Sequence, residues 1–395
     1  MNRRSFIQWS AAAAAPWAVS RASAQGSSAR DSGFDPWIEI EPRHLVRNVA
    51  EVARATGRPI LAVIKNNGYG FGVVQVARAL ASVPQIRGLA VIKLQEAVNI
   101  RDAGITTPLL LMGPFEERDL ADLHARDIMP MVYTPMGDAL ARTAARGQRP
   151  LKIHVCVDTG LGRVGVPYRD APAFIRELAD KSGVTIDGVM MTFTEDEAFD
   201  REQLRRFDTL TADLRKGGAS IGVCHAASSY TFFQHRDIVL DMVRPGMAIF
   251  GVYPEPAFRQ SNHMTLTPAG AFRTRVAYLK KIAAGESAGY NRAYIAKRDT
   301  WVATLPVGHA DGWPRTTAKG AKVRINGALY PVIASVSASH TIVEIGDEAA
   351  VKIGDVATLW DWQDGSRPED VAASCGASVY DLLMHLGGHL PRRVL

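Results

Sequence analysis

From residue 59 to 251 the chain alternates short apolar runs with stretches whose apolar residues recur at helical spacing. The strand-type runs fall at 59–65, 88–93, 108–113, 128–133, 152–158, 186–193, 221–228 and 242–251. Between them, Val73–Leu80, Leu94–Ala103 and Arg201–Leu214 carry apolar side chains every three to four residues. Eight strand–helix repeats over about 200 residues predict a parallel (β/α)₈ barrel, whose chemistry belongs at the C-terminal strand ends. After Asn262 the texture changes. Val302–Val307, Lys322–Ile325, Tyr330–Val336, Thr341–Ile345 and Asp355–Trp360 are short β-rich runs broken by Gly or Asp turns. They predict a separate all-β domain that follows the barrel. Trp37–Ile40 alternates as a strand does and precedes the first barrel run.

The first barrel run ends on an amine. Residues 59–72 read PILAVIKNNGYGFG, so Lys65 closes an apolar strand and a Gly/Asn-rich turn follows it. Burial disfavours the charged form of an amine, which lowers its pKa and frees its lone pair to attack a carbonyl. The turn adds backbone N–H groups and the Tyr69 phenol, the donors that a phosphorylated aldehyde needs. Asp158 and the pair Ser228–Ser229 also fall at strand ends.

Composition changes this picture little. The 395 residues are 47% hydrophobic and 22% charged, enough for two globular domains with ample core. Three cysteines in that length do not make a disulfide framework, although one pair remains possible. They sit too far apart to suggest a metal-ligating cluster, so no metal is expected. The first 24 residues read as an export signal rather than as part of the fold. A twin arginine, Arg3–Arg4, precedes the Ala-rich stretch Phe6–Val19, and Ala22–Ser23–Ala24 fits a small-residue cleavage site. The apolar stretch is short for a membrane span and has the wrong flanks. The RRxF pattern points to the twin-arginine route for folded proteins, hence to the periplasm. Loss of Arg3, Arg4 and Arg21 takes the formal charge from +6 to +3. The remaining surplus forms no dense basic block or aromatic-interleaved stripe, which argues against nucleic acid as a partner. No second long apolar run exists, so no membrane association is expected after cleavage.

Several segments together, in one order, identify a family. KNNGYGFG with its preceding strand resembles the AVVKANAYGHG signature of alanine racemases, enzymes of fold type III that use pyridoxal 5'-phosphate (PLP). HVCVDTGLGRVGV (154–166) resembles their HLKVDTGMGRLGV, and DMVRPGMAIFG (241–251) their DMVRPGIALYG. LAVIKLQEAVNIRDAGI (89–105), ESAGYNRAYIAKRDTWVATLPVGHADGWPR (286–315), INGALYPVIASVSASHTIVEIGD (325–347) and SVYDLLMHLGGHLPRRVL (378–395) extend the likeness over roughly residues 36–395. The resemblance implies a PLP-dependent amino-acid racemase acting on L- and D-alanine. It implies these divisions: signal peptide 1–24, leader 25–35, a strand 36–42 that joins the C-terminal β domain, barrel 43–262 and C-terminal β domain 263–395.

Site residues follow from the same resemblance. Lys65 would carry PLP and serve as one of two acid/base groups. Tyr290 would be the other, supplied by the partner subunit's C-terminal domain, which implies a homodimer with shared active sites. Tyr69, Ser229, Gly246 and Met247 would hold the phosphate, with Tyr380 near it and near the gate. Arg244 would face the pyridine nitrogen; an arginine stays protonated, so the ring stays unprotonated and is a weaker electron sink. Arg163 would contact the substrate carboxylate. His225 reads as a satisfied barrel histidine.

The chain also departs from the family. Cys156 stands where many members carbamylate a lysine that orients the arginine seven residues on, so Arg163 must be oriented otherwise. Thr192 replaces a histidine that stacks on the pyridine, and His309 the tyrosine of GYADG. Ser337–Ala338–Ser339–His340 replaces Cys-Met-Asp-Gln, so Ala338 stands where a methionine narrows the methyl pocket. That predicts room for substrates larger than alanine. Two other readings are a fold-type III lyase acting on D-3-hydroxy amino acids and a non-catalytic PLP-binding homologue. The absence of a Cys/His cluster weighs against the first; Tyr290 and the full β domain weigh against the second.

Overall fold

The computed structural model describes residues 33–261 and 263–395. The expected signal peptide lies outside the described residues, as does most of the leader. Residues 34–395 form one compact unit. Eight parallel strands close a barrel: β2 (Ile60–Val63), β3 (Ile86–Val91), β4 (Leu109–Leu111), β5 (Ile128–Val132), β6 (Leu151–Asp158), β8 (Val184–Met190), β9 (Val223–Ser228) and β10 (Met242–Arg244). Between β6 and β8 in sequence, the two-residue β7 (Val166–Pro167) pairs with the outer end of β6. Pairing of β5 with β6 and of β10 with β2 closes the ring. The apolar runs became strands because both faces of a barrel strand are covered, so near-continuous Val, Ile, Leu and Ala is favoured over alternation. Ile60 to Val63 are all buried.

The helical patterns became the outer ring. Val73–Leu80 forms a helix with the bounds its spacing predicts, and Leu94–Asp102 stops one residue short of its pattern. The pattern at Arg201–Leu214 lies inside a longer helix, Glu197–Lys216. That helix starts earlier because Asp196 caps it, its side chain accepting from Phe199 N.

The second sheet has nine strands. It contains β1 (Trp37–Ile40), β11 (Gly270–Arg275), β12 (Tyr278–Ile282), β15 (Thr300–Leu305), β16 (Lys322–Ile325), β17 (Ala328–Ile333), β18 (Thr341–Gly346), β19 (Val356–Trp360) and β20 (Arg392–Val394). A small hairpin, β13 (Ser287–Ala288) with β14 (Tyr294–Ile295), stands apart from it. β1 pairs antiparallel with β11 and parallel with β20, so the segment before the barrel completes the sheet that follows it. The three cysteines are free and buried.

One core joins sheet and barrel. Trp360 and Phe250 are fully buried, with the Phe71 ring 5.9 Å from the first and 5.4 Å from the second. Phe71 follows Lys65 by six residues, so the same aromatic cluster anchors the turn that carries the amine.

Candidate active site

The turn after β2 is where the backbone departs furthest from ordinary geometry. Asn66, Asn67, Gly68 and Tyr69 all have left-handed φ, between 52° and 61°. Each non-glycine residue there costs roughly 1–2 kcal/mol, so neighbouring contacts must hold the turn. Asn67 Oδ1 accepts from Val73 N at 3.0 Å, and Arg392 Nη2 donates to Gly70 O at 2.9 Å. A Cβ on Gly70 would overlap Leu383 O, so the helix Val379–Met384 also presses on the turn. The result places Lys65 at the head of the turn and the Tyr69 ring, buried against Phe250 at 4.8 Å, at its foot.

The Tyr69 hydroxyl reaches the loop after β10. A Cβ on Gly246 would overlap that hydroxyl, so only glycine fits there. Ser229, at the end of β9, is buried, and its Oγ accepts from Gly246 N at 3.0 Å and Ala248 N at 3.1 Å. Its acceptor side is therefore engaged, while its own O–H remains available to donate. Met247 opens the short 3₁₀ turn Met247–Phe250, where a backbone N–H has no partner within the turn. These donors converge at one corner of the C-terminal barrel face and fit a phosphate.

Lys65 is half-buried. Burial and then the Arg163 guanidinium push its amine below the ordinary lysine range, and Glu96 partly opposes them. Burial pushes the Tyr69 phenol far above its usual value, so it is a neutral donor.

Arg244 lies at the end of β10. Burial, then Arg163, pushes it down to about 10, while Cys156 counters them, so it is still a cation near neutral pH. Its Nη2 donates to Met191 O at 2.8 Å, and Nη1 lies 3.0 Å from His225 Nδ1. A guanidinium can only donate, which fixes the tautomers behind it. His225 Nδ1 accepts; its Nε2–H then donates to His154 Nδ1 at 2.8 Å. His154 Nε2–H faces Asp187 Oδ2 at 3.8 Å. The His154 contact holds the Asp187 carboxyl down at about 2. Burial and Arg244 hold His225 neutral. A buried pair of imidazoles thus braces the Arg244 cation at the end of β10.

The remaining expected residues are placed as follows. Arg163 is exposed on the loop after β6, where Asp158 Oδ1 accepts from Gly160 N and Gly162 N. Burial pushes the Cys156 thiol up to about 11, so it supplies no anion to Arg163 near neutral pH. Thr192 Oγ1 lies 3.5 Å from Arg244 Nη2. Tyr380 is partly exposed on the helix Val379–Met384; burial and the acids Glu195 and Glu255 push its phenol up to about 12. His309 is exposed, with Arg315 Nη2 2.9 Å from its Nε2. Tyr290 and Ala338 are not gathered with the others. Tyr290 is 74% exposed at the tip of the β13–β14 hairpin, and Ala338 is exposed. Among the described residues neither side chain hydrogen-bonds to a barrel residue. Sequence reasoning missed Glu96, His154 and Asp187. Glu96 carries a weak signal, as an acid on the apolar side of the pattern at 94–103; the histidine chain carries none, because 71 residues separate His154 from His225.

Comparison with known proteins decides the family. The model "Alanine racemase, N-terminal domain" matches residues 40–254, and "Alanine racemase, C-terminal domain" matches 269–394. The chain belongs to the alanine racemase family. The alanine racemase of Symbiobacterium thermophilum is 32% identical over 364 residues, 90% of this chain and 96% of that protein. Alanine racemase 2 of Caldanaerobacter subterraneus is 30% identical over 365 residues, 90% and 93% of the two chains. Among solved structures, the alanine racemase of D-cycloserine-producing Streptomyces lavendulae superposes with a TM-score of 0.85 at 27% identity, covering 92% of this chain and 97% of that one. That of Bacillus anthracis with bound L-Ala-P gives 0.81 at 28% identity, covering 92% and 95%.

The contact between Gly246 and Tyr69 yields a direct test. In this racemase-family chain Gly246→Ala should displace the Tyr69 hydroxyl and weaken PLP retention by about tenfold or more, equivalent to about 1.4 kcal/mol. Visible absorbance after dialysis measures this, and circular dichroism should show an intact fold. Unchanged retention would mean that Tyr69 and the loop after β10 do not hold the phosphate.

Proposed function

We propose that the protein interconverts L- and D-alanine with PLP held on Lys65, exchanging the Cα proton between two bases, Lys65 and Tyr290. Alanine racemisation is the family's activity, and the chain is an isomerase of that family. The observation that carries the residue assignment is the half-buried Lys65 amine, presented at a barrel strand end beside the cradle of Tyr69, Ser229 and Gly246.

Lys65 would bind the cofactor aldehyde, Tyr69, Ser229 and the Met247 N–H its phosphate, and Arg244 its ring nitrogen; Gly246, whose own N–H is taken by Ser229 Oγ, would serve by leaving room for the Tyr69 hydroxyl. When bound, PLP supplies the conjugated ring that delocalises charge from the substrate Cα. Arg244 keeps its proton because its pKa stays high, and His225 cannot take that proton easily because burial disfavours the imidazolium. Arg244 would thus offer the ring nitrogen a hydrogen bond and not a proton. That tempers the electron sink and suits simple proton exchange over side reactions. Arg163 faces solvent at the mouth as a cation available to the substrate carboxylate.

Inversion needs a proton acceptor on one face of Cα and a donor on the other, because a single base returns the proton to the side it left. Lys65 serves one face, and its depressed pKa brings the neutral amine closer to working pH. Tyr290 serves the other. Its exposure on a hairpin tip favours a homodimer in which it enters the partner's site. Ala338, exposed on the same domain, would join it there, with the smaller side chain widening the range toward larger substrates.

Two tests separate these claims. Lys65→Ala and Tyr290→Phe are each expected to lose racemisation by about 10²–10⁴-fold. Unfolding and refolding the two variants together should restore about a quarter of wild-type activity, because half the dimers are mixed and each then has one intact site. No recovery, with mixed dimers confirmed by mass spectrometry, would place Tyr290 in the same chain as its Lys65 or outside the site. We also propose export to the periplasm by the twin-arginine route. Replacing Arg3 and Arg4 with lysine should leave the protein in the cytoplasm; unchanged periplasmic recovery on fractionation would contradict that route.

A further inference from the structure

We propose that Glu96 is a positioning residue for Lys65: its buried carboxylate holds the left-handed turn that presents the amine and supplies the amine's counter-charge. This rests on the reading of Lys65 as the cofactor lysine. Glu96 belongs to the helix Leu94–Asp102, which follows β3, the strand beside β2. Its side chain turns inward and is 8% exposed.

The two carboxylate oxygens have different tasks. Oε2 accepts from Lys93 N at 3.2 Å, within its own helix start. Oε1 leaves the helix and accepts from Asn67 N at 2.6 Å, the middle of the left-handed run. That bond is short, as expected for an ionised acceptor with a backbone donor. Asn67 uses its own side chain for Val73 N, so the turn is gripped from both sides at one residue. Without Glu96 the strained residues at 66, 67 and 69 lose the one side-chain carboxylate that, among the described residues, bonds their backbone, and ordinary right-handed or extended conformations compete.

The electrostatic part follows from the neighbours of Lys65. On the loop after β6 stands Arg163, which disfavours the ammonium, and burial acts the same way. From the turn and the C-terminal helix come Tyr69 and Tyr380, both neutral phenols near pH 7. Glu96 alone favours the ammonium. A lysine that must both accept and return a proton needs both forms within reach. With Arg163 and burial unopposed, the amine would be a weaker base and would hold a proton poorly. Glu96 thus offsets the two depressing influences.

Two substitutions divide the two tasks. Glu96→Gln keeps an acceptor for Asn67 N and removes the charge. Glu96→Ala removes both. In Glu96→Gln, PLP retention on dialysis should stay within about twofold of wild type. The acid limb of kcat, in the direction where Lys65 takes the proton, should move to lower pH, because the charge that favours the ammonium is gone. Glu96→Ala should also lose PLP about tenfold more readily, read by visible absorbance, and Glu96→Asp should recover part of that loss. A merely structural Glu96 would lower the thermal midpoint in both variants while leaving the pH limb in place and cofactor retention equal to wild type; that result would overturn the proposal. Borohydride reduction and peptide mapping on the wild-type enzyme separate the underlying reading. Label on a lysine other than Lys65 refutes that reading, whereas label on Lys65 with an unmoved limb in Glu96→Gln refutes the role of Glu96 alone.

Discussion

The site depends on a backbone that runs left-handed for five residues, Asn66 to Gly70, beside a half-buried amine. An ordinary turn after β2 would carry Tyr69 away from Gly246 and leave Lys65 to swing into solvent. The left-handed run instead ties three parts of the fold together. The barrel contributes β2 and Glu96, the C-terminal helix presses on Gly70, and Arg392 from the last strand bonds the Gly70 carbonyl. A strained turn persists only when its surroundings over-determine it, and here they do. The strain is spent on holding the Lys65 amine and the buried Tyr69 phenol at fixed separation, as the proposed lysine-bound cofactor would require.

A second constraint acts at Arg244, at the end of β10. Arg244 is buried, and among the described residues no carboxylate bonds it; its partners are the Met191 carbonyl, the Thr192 hydroxyl and a neutral imidazole. A carboxylate there would share its charge and dull it as a donor to a ring nitrogen. The histidine chain through His225 and His154 satisfies the guanidinium and leads, two imidazoles away, to the half-exposed carboxylate of Asp187 on β8. Lys65 and Arg244 are both held as groups whose charge is costly to bury, and their surroundings push them in ways that suit their roles. In the proposed reaction the amine would exchange a proton and the guanidinium keep its own.

Much of the fold was legible because barrel strands are buried on both faces and advertise themselves as apolar runs. The runs at 59–65, 128–133 and 152–158 differ from the observed strands by a few residues at most. The last run, 242–251, divides into the short strand Met242–Arg244 and a 3₁₀ turn, because Pro245 and Gly246 interrupt the ladder. At the site, Lys65 and Tyr69 could be read from one motif, since a strand end and its turn are local. Arg163, Tyr290 and Tyr380 were reachable through the family's longer segments. Glu96, His154 and Asp187 were not, because their meaning lies in contacts made across strands and helices that no local spacing encodes. The handedness of the turn was hidden as well: Asn-Asn-Gly tolerates left-handed φ, but only the packing against Leu383 and Glu96 selects it.

The claim at the centre of this account is that the Cα proton leaves by one face and enters by the other. Racemising L-alanine in deuterium oxide, with the Cα isotope content of D-alanine read by mass spectrometry at low conversion, tests it most directly. Two separate bases predict that nearly all the first-formed D-alanine carries deuterium at Cα, because the incoming proton comes from a group equilibrated with solvent. First-formed D-alanine that largely retains the original protium would contradict the account, since one group would then have carried the proton from face to face.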